Sequence, residues 1–277
     1  MHPTLTRSLR LVGLLEAGRQ VELRLRMRQQ RSLPDALIIG AQKCGTSSLH
    51  YYLTQHSGVI APLRKEVHYF DLNFERGAKW YRAHFGRLGA SGTNLDSSPY
   101  YLFHPLVAQR ARALLPDARL IALLRDPVRR AYSHYWHERD KGREQLSFED
   151  ALAAEPERVA RAGERLAAGE IRASRDHQHF SYLARGRYAE QLERWLALYP
   201  PQQLLFLRFE ALVQDPLGVL NQTLAFLGLP PMSEARLEPR NTRQYPAMDP
   251  ATTERLRAYF EPESRRLEAL LGQPRGW

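Results

Sequence analysis

A short loop near the start of the chain has the composition of a phosphate-binding turn. The apolar run of residues 36–39 predicts a buried strand, Gly40 ends it, and a helix is expected to begin near Thr46. This order presents backbone N–H groups and the positive end of a helix to an anion. In the common nucleotide loop a Lys follows the second Gly. Here Thr46 follows Gly45 and the Lys lies inside the loop, as Lys43, which favours a single phosphate. A tight turn without a ligand is the alternative.

Residues 65–71 place Lys, Glu, His and Asp side chains close together on an apolar, aromatic background. In extended chain Glu66 and His68 share one face, while their aliphatic and aromatic neighbours anchor the segment. A carboxylate held in this way could act as a general base. A salt-bridged edge segment explains the same residues equally well.

Polar residues also follow two further strand candidates. Residues 119–124 form the clearest core strand; Arg125 closes it and Asp126 can cap the next helix. Ser97 and Ser98 follow an earlier strand. Polar groups at the carboxyl ends of parallel strands line ligand sites, although a turn cap is the alternative for the two serines.

Apolar runs alternate with helical patterns along the chain. This alternation predicts an α/β fold with a P-loop-like central parallel sheet of about five strands, flanked by helices on both faces. The expected strands cover residues 36–39, 58–62, 93–96, 119–125 and 203–209.

Composition bounds the class of protein and its compartment. The 277 residues, 43% of them hydrophobic, suffice for one large α/β domain or two small ones. Cys44 is the only cysteine, which excludes an internal disulfide and a Cys-based zinc site and favours a cytoplasmic setting. The sequence predicts no membrane span and no secretory leader. His177 and His179 have no third ligand nearby, so no metal is expected.

The chain is basic, with a net charge of +10, and all but four of its 40 basic residues are Arg. This balance suggests an anionic ligand or polymer partner, or simply a basic surface. The retained Lys43 fits a crowded phosphate turn better than a planar guanidinium. Residues 5–31 have the pattern of a basic amphipathic helix. Such a helix suits an anionic membrane face, but we favour packing on its own domain or on a second subunit.

Three stretches in this order resemble the sulfotransferases that use 3′-phosphoadenosine 5′-phosphosulfate (PAPS), in the heparan sulfate and bacterial carbohydrate-type branch. Residues 40–47 are similar to that family's 5′-phosphosulfate loop. Residues 65–71 resemble the segment that carries the catalytic base of the heparan 3-O-sulfotransferases, and residues 124–133 resemble the 3′-phosphate signature. The resemblance implies a sulfotransferase domain over residues 34–277, preceded by the basic helix within residues 1–33.

The resemblance also implies a role for each matched position. Glu66 would take the proton from the acceptor, His68 would support it, and Lys43 would stabilise charge on the leaving phosphate oxygen. The residues implied to bind the cofactor are Lys43, Cys44, Gly45, Thr46 and Ser47 at the 5′-phosphate, Arg125 and Ser133 at the 3′-phosphate, and Arg243 and Tyr245 in a closing loop.

These roles imply in-line transfer of a sulfuryl group from PAPS to a hydroxyl or amine of a saccharide, glycolipid or small molecule, without a metal or nucleic acid. Ser97 stands where the heparan 3-O enzymes carry a Lys, and their C-terminal cysteine pair is absent, so the acceptor stays open. The alternatives are a small-molecule kinase with an atypical phosphate loop and a non-catalytic polyanion- or membrane-binding module. A cytoplasmic location is expected, with peripheral contact at the inner membrane face and oligomerisation left open.

Overall fold

The computed structural model describes residues 16–240, 243–272 and 274. Within them, five parallel strands form one sheet in the order β2-β3-β1-β4-β5. The strands are β1 (Ala36–Gly40), β2 (Val59–Ile60), β3 (Thr93–Ser97), β4 (Arg119–Leu124) and β5 (Leu204–Arg208). The predicted α/β class and five-stranded parallel sheet are confirmed.

Helices surround the sheet, and the described residues also form three short 3-10 turns. The helices are α1 (residues 16–26), α2 (Thr46–Leu53), α3 (Tyr69–Leu72), α4 (Gly77–Arg82), α5 (Val107–Leu114), α6 (Pro127–Asp140), α7 (Phe148–Ala167), α8 (Arg175–His179), α9 (Tyr188–Leu196), α10 (Phe209–Gln214), α11 (Pro216–Phe226) and α12 (Pro250–Leu271).

The central strand β1 is buried along its whole length, as expected where helices cover both faces of a parallel sheet. Its residue Ile38 is in register with Ser97 of β3 and with Ile121 of β4. The chain reaches β3 on one side of β1 and then crosses to β4 on the other. Ligands bind at such a switch point, beyond the carboxyl ends of the strands.

The start of α6 follows the sequence prediction. Asp126 caps the helix by accepting a hydrogen bond from the Val128 N–H (2.9 Å), and Pro127 occupies the first turn. Pro has no N–H to leave unsatisfied there. Helix α6 therefore begins directly after β4, and it places Ser133 at the edge of the sheet where the carboxyl ends of the strands lie.

The described part of α1 packs against its own domain, the arrangement that we favour from the sequence. Leu23 is buried in the main core, and Arg26 Nη2 donates to the Phe85 carbonyl oxygen (2.8 Å). Val21 and Leu25 are exposed on the helix. Residues 5–15 of the expected helix lie outside the described residues, and the helix ends before residue 31. None of the described helices is long and apolar enough to cross a bilayer.

Candidate active site

A cavity of about 440 Å³ opens at the carboxyl edge of β1. It collects residues that are far apart in the chain because β1, β3 and β4 end together there. Every predicted site residue lines it except Cys44 and His68. The predicted residues that line it are Lys43, Gly45, Thr46, Ser47, Glu66, Arg125, Ser133, Arg243 and Tyr245.

The loop between β1 and α2 needs unusual backbone angles. Gly45 has φ of 84°, and a Cβ there would lie 2.9 Å from the Phe209 ring, so both the angle and the space require glycine. Lys43 has φ of 72° and, with His68, is one of the two non-glycine residues with positive φ among those described. Such conformations cost energy and cluster at functional sites. No side chain caps α2, so the N–H groups of its first turn have no partner within the helix, and Thr46, Ser47 and Ser48 of that turn line the cavity.

Lys43 lies in a strongly positive environment. Burial lowers its pKa to about 8, assisted by the nearby cations Arg243 and Arg125. Its Nζ lies 3.5 Å from Nδ1 of His137, whose own pKa is lowered to about 4 mainly by burial. Cations held together with so little compensating charge favour an anionic ligand.

Arg125 connects the end of β4 to the phosphate loop. Its Nη1 donates to the Lys43 carbonyl oxygen (3.2 Å), and its guanidinium stacks on the Phe209 ring at 4.5 Å. Its Nε is buried without a hydrogen-bond partner among the described residues. With Ser133 facing the same cavity, the guanidinium is placed to hold a phosphate.

Glu66 lines the cavity and forms a continuous chain of contacts with His68 and Asp71. His68 Nε2 lies 2.9 Å from Glu66 Oε2, and His68 Nδ1 lies 2.7 Å from Asp71 Oδ2. Burial opposes the charge on His68, but the two carboxylates outweigh it and raise its pKa to about 10. Burial likewise favours neutral Glu66, yet the hydrogen bond from His68 and the charge of Lys65 hold the pKa of Glu66 below its ordinary value. At neutral pH the imidazolium therefore donates to an ionised carboxylate on each side.

Residues after β3 hold this chain of groups in place. The His68 N–H donates to Ser98 Oγ (3.1 Å), and the Tyr69 N–H donates to the Tyr101 hydroxyl oxygen (2.8 Å). The Tyr101 hydroxyl in turn donates to buried Asp96 (2.9 Å). The sequence predicts an extended segment over residues 65–71, but the chain is helical after His68, because α3 begins at Tyr69. Glu66 and His68 nevertheless point the same way.

Lys65 joins the two sides of the cavity. Its Nζ donates to Ser47 Oγ (3.2 Å) and lies 3.6 Å from Glu66 Oε1. We did not assign roles to Lys65 or Asp71 from the sequence, although both belong to the cluster in residues 65–71. The spacing of Asp71 three residues after His68 was the available signal.

The Cys44 side chain does not line the cavity, so its predicted place among the cofactor-binding residues stays a prediction that only its backbone could fulfil. Its thiol is buried 3.7 Å from the Tyr188 hydroxyl, and burial raises its pKa to about 11. Lys43 has a positive φ, and this backbone conformation turns the Cys44 side chain toward the protein interior. Only the backbone of Cys44 remains available to the loop.

The loop at residues 243–246 covers part of the cavity, where we expect the cofactor to be enclosed. Arg243 forms an ion pair with Asp140 at the end of α6. The Tyr245 ring lies parallel to Trp136, with centroids 6.3 Å apart. Residues 241 and 242 of the predicted closing loop lie outside the described residues.

One wall of the cavity is apolar and was not predicted. Phe209, Leu212 and Val213 supply it from α10, and Leu237 and Tyr52 complete it. These positions look like ordinary core residues in the sequence, so no local signal marks them. Flat aromatic and aliphatic surfaces of this kind suit a nucleotide base. Among the described residues, no group of three or more His, Cys, Asp or Glu side chains could hold a metal ion.

The fold is a parallel α/β sheet whose carboxyl edge opens on a cavity lined by Lys43, Arg125 and Arg243 and by the carboxylate of Glu66. The model of the sulfotransferase domain family matches residues 33–265, and the chain belongs to this family. It is a sulfotransferase, which decides against the kinase and the non-catalytic module.

Relatives of known name support the assignment. The chain is 31% identical over 272 residues to human heparan sulfate glucosamine 3-O-sulfotransferase 6, with 90% of this chain and 75% of that protein covered. It is 33% identical over 279 residues to human bifunctional heparan sulfate N-deacetylase/N-sulfotransferase 3, covering 87% of this chain and 30% of that protein. It spans 26% of the corresponding bifunctional protein of Drosophila melanogaster, at 30% identity.

A solved structure agrees with the fold. The crystal structure of a sulfotransferase from Alicyclobacillus acidocaldarius superposes with a TM-score of 0.72 at 34% identity, covering 87% of this chain and 97% of that one. The two proteins therefore share the sheet and the arrangement of helices around it.

Proposed function

We propose that this sulfotransferase uses PAPS as its donor and transfers the sulfuryl group to a hydroxyl or amine of a saccharide, with Glu66 as the general base. One observation carries the proposal. Glu66 and Lys43 line the same cavity, the Glu66 segment being held by Ser98 after β3 and the Lys43 loop by Arg125 after β4. A base and a cation therefore meet in one site, as in-line displacement between an acceptor and a leaving phosphate requires.

The residues of the cavity fit PAPS in number and kind. Lys43 and the N–H groups at the start of α2 would hold the 5′-phosphate. Arg125, which has an unused buried Nε, and Ser133 would hold the 3′-phosphate. The apolar wall from α10 would accept the adenine. The donor brings three anionic groups to a site in which burial, and then the neighbouring cations, lower the pKa of Lys43.

The reaction proceeds by one displacement at sulfur. The acceptor oxygen or nitrogen forms a bond to sulfur as the bond from sulfur to the bridging phosphate oxygen breaks. Glu66 takes the acceptor proton, and the released nucleotide is 3′-phosphoadenosine 5′-phosphate (PAP). Lys43 and the loop N–H groups stabilise the charge that builds on the leaving oxygen.

His68 orients the base and keeps it ionised. Held between Glu66 and Asp71, the imidazolium restricts the Glu66 carboxylate to one geometry. The same contact lowers the pKa of Glu66, so the carboxylate is ready to accept a proton at neutral pH, at some cost in basicity.

The acceptor class comes from the relatives. Both human proteins act, by their names, on heparan sulfate, one at oxygen and one at nitrogen, so a saccharide is the first acceptor to test. A glycolipid or a small alcohol is the alternative outcome, because acceptor pockets vary on a shared scaffold.

Two measurements test the proposal. PAP should raise the melting temperature of the protein and Mg-ATP should not; the reverse result would refute the donor assignment. Transfer of labelled sulfate from PAPS should then be followed to heparan sulfate, to its N-deacetylated form and to a lipid extract. Labelling of only the N-deacetylated form would assign N-sulfation, and labelling of only the lipid extract would refute the saccharide.

A cytoplasmic location also stays a proposal, based on the single cysteine. The basic α1, with Val21 and Leu25 exposed, is the surface that we propose for contact with an anionic membrane. Salt-sensitive cosedimentation with anionic vesicles, lost in Val21→Ser/Leu25→Ser, would support this contact, and absence of binding at low salt would exclude it.

A further inference from the structure

Arg185 is a buried cation to which the proposed reaction gives no role. It lies in the 3-10 turn Ala184–Gly186 and is 3% exposed. Most of its partners are neutral: Nε donates to Ser181 Oγ (2.7 Å), Nη2 donates to the Gln178 carbonyl oxygen (2.7 Å), and the guanidinium stacks over the Tyr100 ring at 4.6 Å. Burying a charge among neutral groups is costly, so its retention calls for a reason.

The remaining Arg185 donor, Nη1, reaches the phosphate loop and donates to Oε1 of Gln42. A guanidinium has donors only, so the Gln42 atom that meets it must be the carbonyl oxygen. The –NH₂ group of Gln42 then points away from Arg185, and Gln42 lines the cavity. The contact with Arg185 therefore leaves the –NH₂ group of Gln42, a hydrogen-bond donor, available to a ligand.

The Arg185 contact relates Gln42 to the side of the sheet that holds the base segment. Its partner Arg185 packs on Tyr100, in the segment that follows β3. Ser98 of the same segment accepts the hydrogen bond from the His68 N–H (3.1 Å). The apolar wall instead follows β5, and β3 and β5 lie on opposite sides of β1. Gln42 thus lines the cavity next to Lys43 while its partner Arg185 packs on the β3 side, where the base segment is also held. A sulfuryl group that passes from the phosphate loop to Glu66 crosses this cavity.

We propose that Gln42 donates a hydrogen bond to a sulfuryl oxygen during transfer and that Arg185 is the positioning residue that aims it. The inference rests on the proposed function, because it takes PAPS as the donor. Charge in the transition state lies on the three sulfuryl oxygens as well as on the entering and leaving atoms. A fixed N–H aimed at one of them stabilises that charge without reorganisation, and the adjacent guanidinium polarises the amide.

The primary test is Gln42→Leu, with transfer and nucleotide binding measured separately. We expect kcat/KM for PAPS to fall by about 100-fold, as on loss of one such donor. The Kd for PAP, which lacks the sulfuryl group, should stay within about threefold of the wild-type value. Gln42→Glu keeps an oxygen toward Arg185 but loses the N–H, and should show the same loss of transfer. Gln20→Leu, at an exposed position of α1, is the matched control and should behave as wild type.

Arg185→Met tests the positioning role. Alone it should lower kcat/KM by about tenfold or more; added to Gln42→Leu it should cost less than about threefold, because the group that it aims is already gone. Circular dichroism and thermal melting identify a variant that fails to fold, and Gln42→Leu then still decides the proposal.

The outcomes are distinct. Transfer by Gln42→Leu and Gln42→Glu within about threefold of wild type would overturn the proposal. A parallel loss of PAP affinity would also overturn it, because Gln42 would then hold a phosphate rather than the sulfuryl group. Wild-type protein that binds neither PAP nor PAPS would refute the proposed function itself.

Discussion

On the phosphate-loop side of the cavity, Lys43 lies among cations, and burial together with Arg243 and Arg125 lowers its pKa to about 8. On the base side, His68 lies between the carboxylates of Glu66 and Asp71, and its pKa rises to about 10. Both groups are half-buried and both carry positive charge at neutral pH, yet their surroundings differ in sign. On the loop side, the positive charges are left for an anionic ligand to neutralise. On the base side, the carboxylates of Glu66 and Asp71 already neutralise the charge of His68.

This difference separates binding from preorganisation. An anion that enters the loop side gains from unbalanced charges that cost the free protein stability. The base side gains nothing from that anion, because its hydrogen bonds are already formed. His68 Nε2 lies 2.9 Å from Glu66 Oε2, and His68 Nδ1 lies 2.7 Å from Asp71 Oδ2. Changes on the base side should therefore affect the chemical step, and changes on the loop side should affect nucleotide binding as well.

Of the variants considered, Glu66→Gln should have the largest effect. It should lower the rate of transfer and leave nucleotide binding unchanged. Without a carboxylate to accept the proton, we expect kcat to fall by about 10³-fold, while the Kd for PAP changes by less than about threefold. Transfer of labelled sulfate and calorimetric titration with PAP measure the two quantities. Glu234→Gln, at an exposed position, is the control. Turnover comparable to wild type in Glu66→Gln would remove Glu66 from the role of base.

Lys43→Met should have the next largest effect and should change both nucleotide binding and the chemical step. The variant loses the cation that stabilises the leaving phosphate oxygen, so kcat should fall by about 10²-fold and PAP should bind more than about tenfold more weakly. Lys79→Met is the matched control, because Lys79 is exposed on α4. Unchanged PAP affinity in Lys43→Met would contradict the division between the two sides.

The sequence is most informative where structure is local. The apolar runs of β1 and β4 predict buried parallel strands, and Asp126 with Pro127 predicts the start of α6. The bounds are less exact: the strand expected over residues 58–62 covers only Val59–Ile60, because its pairing with β3 extends over those two residues. The loop and the base segment meet because the carboxyl ends of parallel strands share an edge.

What the sequence does not show depends on contacts between distant residues. Arg185 and Gln42 are 143 positions apart, and Leu237 joins the cavity wall from beyond the last strand. None of these three residues lies in a local sequence pattern that differs from that of an ordinary loop or core residue. The inward turn of Cys44 likewise follows from the positive φ of Lys43, which a sequence rule does not expect of a Lys.

Asp71→Asn should produce a smaller change, confined to the base side. The amide removes the charge that contributes most to the raised pKa of His68, so that pKa should fall from about 10 toward its ordinary value. We expect kcat near neutral pH to drop by about tenfold, because Glu66 loses its charged partner. Titration of the His68 ring by NMR measures the pKa.

The same variant carries a stability prediction with a definite sign. A His whose pKa is higher in the folded state stabilises that state fully below its unfolded pKa, and the contribution is lost as pH rises through the folded value. The difference in unfolding free energy between wild type and Asp71→Asn should therefore be largest near about pH 6 and shrink toward about pH 10. A His68 titration unaffected by Asp71→Asn would contradict the chain of contacts.

The smallest effect that we predict is proton uptake when PAP binds. With a pKa of about 8 in the free enzyme, Lys43 is mostly neutral at about pH 8.5. Phosphates brought beside it favour its charged form, so binding should take up roughly half a proton or more at that pH and almost none near pH 6.5, where Lys43 is already protonated. Calorimetry in buffers of different ionisation enthalpy measures the uptake. Lys43→Met should abolish it and Asp71→Asn should not, because His68 faces the base rather than the nucleotide. Uptake that persists in Lys43→Met would assign the proton to another group and leave Lys43 outside the phosphate contact.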